Sequence, residues 1–222
     1  MKRFNVLAAA LTMAGVLIAP ALASAAPNGP GASGWHLGYY NPSPMGDLSL
    51  SQVAPSESGL ATFNFTNQPN TALLINTQGN SSYRGNDLGK TVTATFSIAG
   101  APASDFIFYP FGGTEPASVR LFFETSNAGG FAYTNYWWSQ NSASSFQYLG
   151  NGTFTVTATL SPSSINWGDW DGNADYSNSA FSAAASNVTG MGLSFGGGGG
   201  YEDGVGTADG SGTFTLTSFS IS

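Results

Sequence analysis

Apolar side chains alternate one for one with threonine, serine or asparagine along several separate stretches of this chain. Ala61, Phe63 and Phe65 alternate with Thr62, Asn64 and Thr66, and Val92, Ala94, Phe96 and Ile98 with Thr91, Thr93, Thr95 and Ser97. Phe154, Val156, Ala158 and Leu160 do the same against Thr153, Thr155, Thr157 and Thr159. Successive strand side chains point to opposite faces, so each stretch predicts a half-buried strand with one packed and one wet face, the pattern of antiparallel sheets. In the last stretch Phe214 and Leu216 are followed by Phe219 and Ile221, so the apolar parity slips by one near Thr217 and Ser218. A β-bulge there would return the later residues to the inner face.

Three further segments are apolar on both faces: Phe106 to Phe111, Val119 to Phe123 and Phe131 to Trp138. Strands of that kind lie in sheet centres or keep one face for a partner. Ser126-Asn127-Ala128-Gly129-Gly130, between the last two, reads as a hairpin loop. Ala180 to Ser186 is the convincing helical stretch, short, with Phe181 able to pack inward. Roughly nine or ten strands separated by Gly, Asn and Pro turns are expected, which makes an all-β fold, a two-sheet antiparallel β-sandwich with one short helix, the best solution.

Only 8% of the 222 residues are charged, far below the roughly 25% of ordinary globular chains. Yet 16 Phe, 9 Tyr and 5 Trp argue against disorder, so solubility must come from Ser, Thr, Asn and exposed backbone. The absence of cysteine excludes disulfides, thiolate metal sites, cysteine nucleophiles and lipidated cysteine anchors. Lys2 and Arg3 precede an apolar stretch from Val6 to Ile18, and Ala23-Ser24-Ala25 supplies the small residues a signal peptidase needs. Residues 1–25 are therefore expected to be a secretory signal peptide cleaved after Ala25. Pro20 and an apolar run short of the ~20 residues that span a bilayer disfavour a retained anchor. Residues 26–34 then read as a flexible leader and 35–222 as one domain. The product is expected to be secreted, extracellular or periplasmic, with no membrane insertion after cleavage. Without Lys2 and Arg3, three basic groups face twelve acidic ones, a formal charge of −9 that repels nucleic acid and anionic lipid.

The order of motifs also resembles a known family. Leu88-Gly89-Lys90-Thr91-Val92-Thr93-Ala94-Thr95-Phe96, then Val119-Arg120-Leu121-Phe122-Phe123-Glu124, then Tyr133-Thr134-Asn135-Tyr136-Trp137-Trp138, is similar to the jelly-roll carbohydrate-binding modules of the galactose-binding-like superfamily. So is the tail, with Phe181 in a small Ala-rich helix, Asn187-Val188-Thr189-Gly190-Met191-Gly192-Leu193-Ser194-Phe195, and a closing strand at Phe214 to Phe219. The resemblance covers about residues 60 to 222 and carries no catalytic signature. It implies a jelly-roll sandwich, glycan binding on the concave sheet or at loop tips, and a structural calcium ion.

Sugar recognition needs flat aromatic faces against the C–H surface of a pyranose and fixed polar groups for its hydroxyls. Tyr133, Asn135, Tyr136, Trp137 and Trp138 supply that mixture on one expected strand, Tyr133, Asn135 and Trp137 on one face and Tyr136 and Trp138 on the other. One indole is then core and the other faces the concave surface, and register decides which; that both merely pack is the alternative. Arg120, inside an apolar strand, must meet a carboxylate of a neighbouring strand or offer donors to a ligand. Glu124 shares its face but lies ~13 Å along the strand, too far for a direct pair.

Asp169-Trp170-Asp171-Gly172-Asn173-Ala174-Asp175 places oxygen-bearing side chains at alternate positions, the supply a calcium ion requires. It departs from an EF-hand-type loop in having Ala174 where Gly is expected and Ala180 where a bidentate acid is expected. A solvated Asp-Gly turn is the competing reading of Asp169, Asp171, Asn173 and Asp175. Trp167 and Trp170 flank the segment, so an ordered loop could also position an aromatic ring for stacking. Gly196 to Gly200 lacks the Lys-Ser/Thr ending of a phosphate loop, and Glu202 and Asp203 beyond it are minor cation candidates.

Catalysis finds little footing. His36 is the sole histidine and lies near the leader, and no serine stands in a Gly-x-Ser-x-Gly elbow. The expectation is therefore a secreted, non-catalytic glycan-binding β-sandwich, calcium-stabilised in one version, with a polysaccharide or glycan as partner and no catalytic residue. A structural or surface-associated extracellular protein without a sugar ligand is the alternative, and a glycoside hydrolase built on two carboxylates a weaker one.

Overall fold

The alternating stretches and the fully apolar ones separate into different layers. The computed structural model describes residues 34–40, 48–55, 57–77, 83–108, 116–125, 133–140, 144–161, 167–169, 179–197 and 204–222. The expected signal peptide, nearly all of the leader and the loop from Ser126 to Gly130 lie outside the described residues.

In chain order the strands are β1 (Trp35–Tyr40), β2 (Leu48–Gln52), β3 (Ala61–Asn64), β4 (Thr71–Asn76), β5 (Thr91–Ala99), β6 (Phe106–Phe108) and β7 (Ser118–Thr125). They continue with β8 (Tyr136–Ser139), β9 (Phe146–Tyr148), β10 (Gly152–Thr159), β11 (Trp167–Asp169), β12 (Val188–Gly196), β13 (Val205–Thr207) and β14 (Thr213–Ile221). One helix, α1 (Ser179–Ala185), precedes β12. All the strand pairings are antiparallel, as half-wet strands require.

β10, β5, β14 and β3 form a four-stranded sheet in that order. Its inner face carries Ala61, Phe63, Val92, Ala94, Phe96, Ile98, Val156, Phe214, Leu216 and Phe219, all buried. On its outer face threonines sit opposite one another and share hydrogen bonds: Thr91 with Thr159 at 3.0 Å, Thr93 with Thr157 at 2.9 Å, Thr95 with Thr155 at 3.0 Å and Thr62 with Thr215 at 3.2 Å. Cross-strand pairs of this kind add to sheet stability while leaving the face wettable without charge. The register of β14 against β5 shifts between Leu216 and Ser218, and Phe219 and Ile221 then face Ala94 and Val92. The parity slip in the sequence is thus a bulge, and Thr217 Oγ1 donates to the Thr95 carbonyl at 3.0 Å beside it.

The second sheet has ten strands, with a main path β11-β8-β7-β12-β4-β1-β2; β9 adds to β7, β13 to β4 and β6 to β13. The fourteen strands among the described residues exceed the number expected from the sequence because β9, β11 and β13 are three residues long, β1 and β4 carry no clean alternation, and the Leu-Ser alternation of β2 runs for four residues. Both faces of the central strands are covered: all six residues of β4 and Ser118 to Phe123 of β7 are buried. Leu74, Leu121, Phe123, Trp137, Met191, Leu193 and Phe195 join the core between the sheets. Their strand neighbours Leu73, Ile75, Phe122 and Trp138 form a separate apolar cluster, with Tyr136 packed against it, on the outer face. Phe181 of α1 turns inward onto Phe123 and Trp137, with centroids 5.9 and 5.1 Å away, both edge-on. Among the described residues no helix is long and apolar enough to cross a membrane.

Candidate functional site

The stretch from Tyr133 to Trp138 is not one strand. Tyr133–Asn135 forms a 3-10 turn and β8 begins at Tyr136. That turn brings the Thr134 carbonyl to the indole of Trp137, whose Nε1 donates to it at 2.7 Å. The expected alternation holds within β8, where Trp137 faces the core and Trp138 the outer side with Tyr136.

Neither indole is open to a sugar, which corrects the expectation of a stacking platform. Trp137 and Trp138 are 0% and 1% exposed. Trp137 lies parallel to Phe123, and Trp138 packs on Phe122 at 5.1 Å while its Nε1 donates to Ser194 Oγ at 3.0 Å. Trp167 is likewise buried, edge-on to Phe123 at 5.2 Å, with Nε1 donating to the Thr159 carbonyl at 3.0 Å. Each ring has its faces covered and its one donor satisfied by the protein, so the indoles act as filling. Trp170 lies outside the described residues.

Arg120 is buried, donates from Nη1 to the Ser139 carbonyl at 3.3 Å and lies over the Phe146 ring at 5.3 Å. The carbonyl and the aromatic face are two of the contacts that hold the buried guanidinium. His36 is built into β1, buried, with Nδ1 3.2 Å from the Gly34 carbonyl oxygen and 3.4 Å from Thr77 Oγ1. Asp169 ends β11, buried and paired in register with Trp137; Asp171, Asn173, Asp175, Glu202 and Asp203 lie outside the described residues. Among the described residues no three acidic or histidine side chains are grouped to hold a metal.

What the outer face does assemble is a polar corner around Glu124. Glu124 of β7 stands between Tyr136 of β8 and Gly190 of β12 in register, with Asn135 just ahead of Tyr136. A Cβ on Gly190 would come within 2.7 Å of Glu124 Oε1 and 2.9 Å of Ile75 Cδ1, so the carboxyl reaches across a floor that only glycine leaves free. At Gly192 a Cβ would meet the Leu74 carbonyl oxygen, which keeps the floor low further along β12. Burial pushes the Glu124 pKa up from the usual carboxylate range to about 7, with the Arg84 charge pulling it down by less.

Arg84 enters because Gly85 bridges to Val188 at the start of β12, its N–H donating to the Val188 carbonyl at 2.8 Å and Val188 N–H returning the bond at 2.9 Å. Its Nε and Nη2 are buried without a hydrogen-bond partner. The described ion pair is elsewhere, Lys90 Nζ to Asp87 Oδ1 at 2.8 Å. The sequence draws attention to Arg120, isolated in an apolar strand, whereas Arg84 sits in a polar Tyr-Arg-Gly-Asn stretch with no pattern around it. The usable signal was scarcity, since Arg84, Lys90 and Arg120 are the basic residues after the expected leader.

No protein-family model matches the chain, and no curated protein matches it.

Proposed function

We propose that this chain is an exported, non-catalytic β-sandwich that binds a glycan at the outer corner of the ten-stranded sheet formed by Arg84, Glu124, Tyr136 and Asn135 over Gly190. The observation that carries this reading is the pair of buried, partnerless donors on Arg84. Buried polar groups are satisfied almost without exception, and an unmet guanidinium edge marks a place where an external acceptor belongs. Glu124 and the Tyr136 phenol add the mixed donors and acceptors that read sugar hydroxyls, and the Tyr136 ring, half-buried, is the aromatic surface beside them. Burial and Arg84 are what shift Glu124, with no second carboxylate acting on it among the described residues, which favours binding over two-carboxylate hydrolysis. Export rests on the Lys2-Arg3 start, the Val6 to Ile18 stretch and the Ala23-Ser24-Ala25 site. Calcium at the Asp169 to Asp175 segment belongs to the same proposal as a stabilising ion.

Calorimetric titration and affinity electrophoresis against a panel of neutral and acidic polysaccharides test the reading. Binding that weakens in Arg84→Gln supports it, and a panel without a single binder removes it.

A second reading has its own observation. The outer face of the four-stranded sheet is a ladder of Thr, Ser and Asn on all four strands, which suits a surface-associated protein that contacts a matrix or its own copies. Concentration-dependent association in sedimentation, with no glycan bound, would favour it.

A further inference from the structure

The chemistry of the Arg84 donors narrows the ligand class. Nε–H and Nη2–H form one edge of the planar guanidinium, and their parallel geometry matches the two oxygens of a carboxylate. A sugar hydroxyl can accept from one of them and leaves the charge unbalanced. A carboxylate accepts from both and neutralises the cation at once. The other cations after the expected leader are already engaged, Lys90 with Asp87 and Arg120 with the Ser139 carbonyl and Phe146. Arg84 retains part of its surface while these two donors are buried, so capture requires the side chain to turn outward.

We infer that the site captures a carboxylate-bearing sugar, a uronic acid unit of an acidic polysaccharide, through a two-point pair with the Nε and Nη2 donors of Arg84. This rests on the glycan-binding reading and goes further by assigning the charged group. Glu124 then makes capture depend on pH. The groups around its carboxyl are Tyr136 from β8, Gly190 from β12, Ile75 from β4 and Arg84, and of these Arg84 carries charge. Below a pKa of about 7 Glu124 is neutral and leaves Arg84 to the ligand; above it, its anion repels the uronate and competes for the guanidinium. Long-range repulsion from the acidic surface is screened beyond a Debye length of about 8 Å at physiological salt, so the local cation decides.

The test compares polygalacturonate, alginate and hyaluronate with their carboxyl-reduced forms by calorimetry and affinity electrophoresis, at about pH 5.5 and about pH 8.5. At least one acidic polymer is expected to bind about tenfold or more tighter than its reduced form, because a charge-assisted pair is lost. Arg84→Gln should abolish that preference, and Arg84→Lys should retain part of it with the charge but without the fork. Glu124→Gln should bind the acidic polymer at both pH values as tightly as the parent does at the lower one, removing the pH dependence. Melting curves on all three variants verify folding. Equal binding of acidic and reduced polymers, or a preference that survives Arg84→Gln, overturns the uronate inference and leaves the glycan reading standing. Failure of the acidic, reduced and neutral polymers alike overturns both.

Discussion

Trp138 on β8 donates its indole N–H to Ser194 Oγ on β12 at 3.0 Å, across the whole width of β7. The indole thus fills the middle of the outer face, over strands whose glycines keep the surface low. Glu124 and Arg120 stand on that face on either side of Phe122 of β7. Trp138→Ala should lower stability by about 3–5 kcal/mol through the cavity it opens. Trp138→Phe should cost about 1–3 kcal/mol, since Ser194 Oγ is buried and loses its donor. Urea unfolding monitored by circular dichroism measures both. A Phe variant as stable as the parent would show that the Ser194 bond is unimportant.

Gly190 and Gly192 should respond differently to alanine. The new Cβ at Gly190 meets the ends of two flexible side chains, Glu124 and Ile75, which can move. At Gly192 it meets the Leu74 backbone, which cannot move without disturbing the β12–β4 ladder. Gly192→Ala is therefore expected to lose several kcal/mol or fail to fold, and Gly190→Ala to lose about 1–3 kcal/mol as in overpacked sites. Thermal melting of the two variants ranks them, and the opposite ranking would contradict the close approach at Gly192.

Glu124 links stability to pH. Its folded pKa of about 7 lies above its unfolded value, so the native state holds the extra proton between roughly pH 4.5 and 7. Stability contributed by the neutral form is present at the acid end and lost as pH rises through 7, by up to about 3 kcal/mol. Glu124→Gln should flatten this slope and be the more stable protein at about pH 8. Urea midpoints across the range provide the check, and parallel profiles for parent and variant would rule out the raised pKa.

The threonine ladder should contribute wettability more than stability. Replacing both members of a hydrogen-bonded pair with isosteric apolar groups is nearly neutral, so Thr93→Val with Thr157→Val is expected to shift stability by less than about 1 kcal/mol. The same pair exposes apolar surface on a face that carries no charge along β5 and β10. Association at high concentration, read by sedimentation velocity, is the expected result. A sharp fall in melting temperature instead would mean that the hydroxyl network supports the sheet.

Calcium should raise the melting temperature through preferential binding to the folded chain, by about 2.7 kcal/mol of stability at a hundredfold excess over Kd. Asp171→Asn and Asp175→Asn should each weaken the effect. Identical melting with calcium and with chelator would dispose of the ion.

Some of this was readable directly. The alternation in 61–66, 91–98 and 153–160 returned as strands of one sheet, the parity slip at Thr217 as a bulge, and Phe181 as an inward helix residue. Those features are local, because a period of two fixes opposite faces and a slip in it forces an extra residue. The fate of the tryptophans was not readable. Alternation assigned Trp137 and Trp138 to opposite faces of β8, but whether an outer face stays open depends on what else packs there.

The amino-acid order by itself therefore determined which face of each alternating strand is packed and which is wet, because side-chain direction along a strand is a property of adjacent residues. Tertiary structure alone decided that the outer face of the larger sheet is filled by Trp138 and that Arg84 and Glu124 act on one another. Burial and electrostatic coupling depend on the surroundings that distant segments supply, and those exist only once the Gly85–Val188 bridge and the β7–β12 ladder bring the segments together.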